Sequence, residues 1–144
     1  VKTLLLSLLL LSGCSTLPEH EQAAAADGGL TILGLVLGAA ELNPLGLLTI
    51  PLKYGMVQHV KTLPDGERQE AESTMTAYFG GLSVNNACVV LAILTGGTFG
   101  VACLVIGAAY GLNKWNAEST QRAFWHLCTE EKVARPDLSC EWKS

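Results

Sequence analysis

Charge is what this chain lacks. Of its 144 residues only 15% are Asp, Glu, Lys or Arg, against about a quarter in an ordinary soluble domain, while 49% are hydrophobic. The mean hydropathy is +0.35. The shortage is also local, because the 41 residues from Ser73 to Asn113 carry no charged side chain. Basic residues number 9 against 13 acidic ones, and none cluster, which excludes the electrostatic footprint of a nucleic-acid binder. Missing as well are the short patterns that organise chemistry. No His-x-x-x-His or Cys-x-x-Cys pair occurs, and His20, His59 and His126 fall in separate segments, so no metal site is expected. No Gly-x-Ser-x-Gly, phosphate loop or dinucleotide fingerprint is present. Neither an enzyme activity nor a resident cofactor is expected.

What is present is grease in bilayer-sized lengths. The length bounds the chain to one domain. As one helix, the charge-free block would run about 61 Å, twice the roughly 30 Å hydrocarbon core of a membrane. It must fold back, and Thr95-Gly96-Gly97-Thr98 supplies the turn, since glycine tolerates positive φ. This predicts a helical hairpin over 75–113, with spans at about 75–94 and 98–113. Tyr110 and Trp115 sit where an interfacial aromatic belt would hold its end. Gly96-x-x-x-Gly100 and Gly107-x-x-x-Gly111 place small residues for close backbone contact with a neighbouring helix.

The first apolar region, 23–60, is interrupted by Asp27, Glu41, Asn43, Pro44, Pro51 and Lys53. Two readings compete. One span over about 30–50 would bury Glu41 at its centre, at a cost of roughly 2.5–3.5 kcal/mol on insertion scales. Alternatively, a helix from about Ala23 ends at Asn43-Pro44 and a second runs to about Val60, leaving Glu41 near a membrane face. Proline disfavours the α conformation in the residue before it and suits the first turn of a new helix, which favours the second reading. The fold class expected is therefore an all-α membrane protein, a small bundle of four spans, with three as the alternative. A polar loop over 61–74 joins its halves, and Pro64-Asp65-Gly66 reads as a turn.

The segment 114–144 reads as a helical tail from about Ala117 to Ala134 followed by a turn at Pro136. Cys128 and Cys140 are suited to one disulfide closing that turn, a bridge that persists only in an oxidising compartment. Four spans would return the tail to the compartment where the chain starts. Cys88 and Cys103, inside the apolar hairpin, are expected to be small buried hydrophobes.

At the start, Lys2 precedes nine residues, Thr3 to Leu11, of which seven are leucine: too short to span, but suited to a signal-peptide core. The following Leu11-Ser12-Gly13-Cys14 resembles the bacterial lipobox. That resemblance implies a signal peptide at 1–13, removal of that peptide, and a diacylglyceryl group with an N-acyl chain such as palmitate on Cys14. Residues 14–29 would then form an acylated tether on the periplasmic side of the cytoplasmic membrane. Ser15 is compatible with export to the outer membrane, which the oily helices oppose.

Asp27-x-x-x-Thr31, then Glu41-x-Asn43-Pro44, then Lys53 in the next apolar segment, is similar to a signature of an uncharacterised family of small bacterial multi-span membrane proteins. The resemblance implies helix, Asn-Pro turn, helix, and carries no activity. Asp27 and Thr31 share a helix face, and Lys53 is expected to pair with Asp27 or Glu41 across the first helix pair. These features suggest a lipid-anchored accessory protein, immunity-like or exclusion-like, whose partners are membrane lipid and another membrane protein or a second copy. A small transporter or channel subunit using the intramembrane charges, and a glycine-zipper envelope lipoprotein, are the alternatives.

Overall fold

Proline and acidic residues mark where the helices begin. In the computed structural model, which describes residues 17–37, 46–96 and 100–142, Pro18 and Pro64 occupy the N-cap positions of two helices. Each is followed by a first turn with two acids, Glu19 and Glu21 in one and Asp65 and Glu67 in the other. Negative charge there complements the positive end of the helix dipole. The described residues form five helices and no strand: α1 (Glu19–Val36), α2 (Gly46–Val60), α3 (Asp65–Thr95), α4 (Gly100–Ala117) and α5 (Ser119–Lys132). The fold is all-helical.

Several boundaries differ from the sequence expectation. The tether expected through Gly29 is helical from Glu19. Most of the loop expected over 61–74 is also helix, because Pro-Asp-Gly begins α3 instead of turning the chain. Arg68 then braces the first turns against Asp65 at 2.9 Å and Glu72 at 3.9 Å. At the other end of the hairpin α4 continues to Ala117, and the tail helix is separate from it. Pro51 falls inside α2, where it removes one ladder donor. Residues 1–16, with Cys14, and 38–45, with Glu41, Asn43 and Pro44, lie outside the described residues, as does Gly97.

Gly96 ends α3 in the left-handed conformation, φ 70°, and its N–H closes the last turn on Ile93 O at 3.3 Å. It therefore belongs to the turn, and Gly96 and Gly100 do not share a helix. Beyond the turn, α3 and α4 run antiparallel and very close. A Cβ at Gly107 would come within 2.6 Å of Gly81 O and 2.7 Å of Asn85 Cβ, and one at Gly111 within 3.1 Å of Ala77 O. Cys88 and Cys103, expected as free hydrophobes, instead form a disulfide joining α3 to α4, with Cα atoms 5.3 Å apart. A second disulfide joins Cys128 and Cys140, Cα–Cα 5.8 Å, and folds the chain after α5 back onto that helix.

The remaining helices assemble around α3. Glu21 meets Lys61 at 2.8 Å and Asp27 meets Lys53, so α1 and α2 are antiparallel. Ser83 Oγ donates to Ala23 O at 3.1 Å and Asn86 reaches Asp27, so α1 and α3 are parallel. Lys132 lies 3.6 Å from Asp65, which sets α5 antiparallel along the start of α3. A small apolar core of Val57, Val60, Met75 and Phe79 closes the end where α2 leads into α3.

The surface is the oily part. On α4, Cys103 is fully buried and Gly107 is buried, while Val101, Leu104, Val105, Ile106 and Leu112 are 51–78% exposed. Leu52, Tyr54 and Met56 on α2 and Leu91 and Leu94 on α3 are exposed as well. Among the described residues one helix, α3, is long and apolar enough to cross a membrane.

The glycine contact yields a test. Gly107→Val is expected to destabilise the hairpin by about 3 kcal/mol or to prevent folding, because backbone cannot yield as a side chain does. Gly28→Ala, whose Cβ would meet nothing within 4 Å, is expected to be neutral or to stabilise by up to about 1 kcal/mol. Thermal unfolding in detergent, followed by circular dichroism, checks both.

Candidate functional site

Three helices converge on one carboxylate. Asp27 on α1 is 0% exposed. Its Oδ2 is ion-paired with Lys53 Nζ from α2, and its Oδ1 accepts from Asn86 Nδ2 of α3 at 2.7 Å. The same amide donates to Thr31 Oγ1 at 3.1 Å, and Thr31 Oγ1 donates back to Asp27 O at 2.8 Å. Asn85 Nδ2 donates to Asn86 Oδ1 at 3.2 Å and fixes that amide. The four-residue spacing of Asp27 and Thr31 is one helical turn, so both face α3.

The structure thus brings together Asp27, Thr31 and Lys53, and among the described residues Lys53 pairs with Asp27. Asn86 escaped the sequence reading. Its signal was available, since Asn85 and Asn86 are the only amides between Gln69 and Asn113, and an amide in apolar surroundings needs a partner. The ion pair opens on one side to a cleft of about 370 Å³ between α1 and α2, lined by Ala24, Gly28, Ile32, Ile50, Lys53 and Tyr54 among others.

A second polar cluster lies where α4 hands over to α5. Ser73 Oγ on α3 donates to Glu118 Oε2 at 2.5 Å and accepts from Arg122 Nη1 at 3.1 Å. Arg122, 6% exposed, also donates to Trp115 O and stacks its guanidinium 3.6 Å over the Trp115 ring. Lys114 bridges Glu118 at 2.9 Å and Glu19 at 3.1 Å. Burial pushes the Glu118 carboxyl up, but the hydrogen bonds from Ser73 and Lys114, with the charges of Lys114 and Arg122, outweigh it and hold the group below 4.5. The Glu118 hydrogen bond raises the Lys114 ammonium above 10.5 against the opposing effect of burial, with Glu19 adding to the rise. Ser73 thus sits between a carboxylate and a guanidinium, and the arrangement ties α3 to the start of α5.

Beside this cluster is an open groove of about 520 Å³, bounded by the start of α1, α3 and α5. Among the described residues no three His, Cys, Asp or Glu groups come together to hold a metal ion. No protein family, curated protein or solved structure matches the chain.

Two outcomes are expected. Lys53→Leu leaves a buried carboxylate unpaired and should cost about 3–5 kcal/mol, whereas Asp27→Leu combined with Lys53→Leu should recover much of that loss. Denaturation of the single and double variants measures the coupling, and additive effects would remove the pair. Glu118 has a depressed folded value, so its stabilisation is complete above 4.5 and is lost as pH falls through that lower value. Acid should therefore loosen α5 first, read as a change in tryptophan emission that Glu118→Gln abolishes.

Proposed function

We propose that this chain is a lipid-anchored, multi-pass protein of a bacterial cytoplasmic membrane that acts through contacts with other membrane components and not by catalysis. The observation that carries the reading is the inverted packing. Val101, Leu104, Val105 and Ile106 on α4, with Leu52 on α2 and Leu91 on α3, are exposed on a bundle whose inner contacts include Asp27, Lys53, Asn86 and Ser73. An apolar exterior of this extent marks a surface made for lipid or for a partner.

The four-span reading draws support from direction. Each of α1 to α4 runs opposite to its neighbour in the chain, and the ion pairs Glu21–Lys61 and Glu19–Lys114 gather at one end. Cys14 precedes Glu19 by five residues, so its acyl chains would enter the membrane at that end, the periplasmic one. The Cys128–Cys140 bridge belongs to the same end and needs an oxidising compartment. The accessory role, in the manner of an immunity or exclusion factor, would then use the lipid-facing helix surfaces.

A small transporter or channel subunit is the second reading, which the cleft beside Lys53 favours. The glycine-zipper envelope lipoprotein is less favoured, because Gly107 and Gly111 pack against α3 of the same chain.

Alkaline carbonate extraction tests the leading reading. With Cys14→Ser removing the lipid, the protein should still sediment with membranes; release into the soluble fraction sinks the multi-pass assignment. Proton flux into vesicles, abolished by Lys53→Leu, would move the assignment to the transporter class.

A further inference from the structure

The cleft between α1 and α2 is a slot and not a bowl. On α1 its lining recurs every three or four residues, at Glu21, Ala24, Gly28 and Ile32, which spans about 17 Å of helix axis. Ile50, Tyr54 and Val57 line it at the same rhythm from α2. A Cβ at Gly28 or Gly29 would meet nothing within 4 Å, so no side chain of the described residues fills the space beside those glycines.

The slot offers nothing for a charged ligand to hold. Its two charged residues are already engaged, Glu21 with Lys61 at 2.8 Å and Lys53 with Asp27. Apart from Tyr54 and Gln58, the other lining residues are aliphatic or glycine. At about 370 Å³ the space lies within the range of small-molecule sites. A groove this long and this apolar fits hydrocarbon, and a single extended chain better than a ring system.

One source of hydrocarbon is tied to its mouth. Leu17 lines the groove at the end where α1 begins, and Cys14 stands three residues before it. Three residues of chain reach at most about 11 Å. An acyl chain attached there meets the groove as an intramolecular partner, without the loss of translational freedom that a free lipid tail incurs.

We propose, resting on the lipid-anchored reading of Cys14, that one of its acyl chains lies in the α1–α2 groove along Ala24, Gly28 and Ile32, while the others enter the bilayer. The lipid is then part of the bundle as well as its anchor, and it supplies packing between α1 and α2 where no side chain provides it.

The test uses the full-length protein, produced in bacteria fed a palmitate analogue with a mid-chain diazirine, irradiated in the membrane and digested for mass spectrometry. Cross-links are expected from the Cys14 peptide to α2 at Ile50 or Tyr54. Gly29→Phe, which fills the groove from an exposed position, should abolish them. Thermal unfolding in dodecyl maltoside supplies the second measurement. Cys14→Ser should lower the midpoint by about 5 °C in the parent protein and leave it unchanged in the Gly29→Phe background. Cys14 found without acyl chains overturns the anchor and the groove together. With Cys14 acylated, three results overturn the groove alone: phospholipid adducts on α2 in place of Cys14-linked ones, cross-linking undiminished by Gly29→Phe, or an equal loss of midpoint in both backgrounds.

Discussion

A carboxylate with no access to solvent is tolerable only if every oxygen is engaged, and the bundle is organised so that Asp27 meets that condition. The ammonium of Lys53 comes from one helix and the amide of Asn86 from another, and that amide is held in turn by the hydroxyl of Thr31 one turn along from Asp27. Each donor fixes the rotation and register of the helix that carries it. A slip of one residue in α2 would turn Lys53 away and leave charge stranded in apolar surroundings. Apolar side chains alone could not impose such a register, because Leu against Leu is nearly as good one residue along. The ion pair contributes uniqueness at least as much as energy, since the desolvation of two charges consumes much of their attraction.

The α3–α4 hairpin is specified by different means. Its helices are joined by backbone proximity at Gly81, Gly107 and Gly111 and by the Cys88–Cys103 bridge, and Ser73 ties its open end to Glu118 and Arg122 at the start of α5. None of these needs a hydrophobic driving force between helices. That suits a helix whose outward face carries Val101, Leu104 and Val105, where a lipid solvent would reward leucine on either side equally.

Much of this was visible in the sequence, and what was missed has a geometric cause. The charge-free block and the paired glycines fixed the hairpin and its turn. Spacing gave the Asp27–Thr31 face, and the scarcity of carboxylates narrowed the partners of Lys53 to Asp27 or Glu41. The Cys88–Cys103 bridge is not legible in either residue taken alone, since a cysteine in apolar sequence is equally a small buried hydrophobe. In an antiparallel hairpin, partners lie at equal distances from the turn. Cys88 and Cys103 are eight and seven residues from Gly96, Gly81 and Gly111 fifteen each, and Ser73 and Glu118 stand in the same relation. The start of α3 was lost to a different confusion. Pro-Asp-Gly satisfies the rules for a turn and those for a helix N-terminus, and only the later contacts of α5 with Gly66 decide between them.

These attachments divide the molecule unequally. One side is riveted, with covalent and backbone contacts along its whole length. On the other, α2 is anchored at its end by Val57 and Val60 and midway along by the reach of Lys53, while Leu52, Tyr54 and Met56 face outward. A lever of this kind has a fulcrum near Val60 and a latch at Asp27, so loss of the latch would let α2 swing aside like a shutter and widen the cleft beside it, leaving the riveted half where it stands.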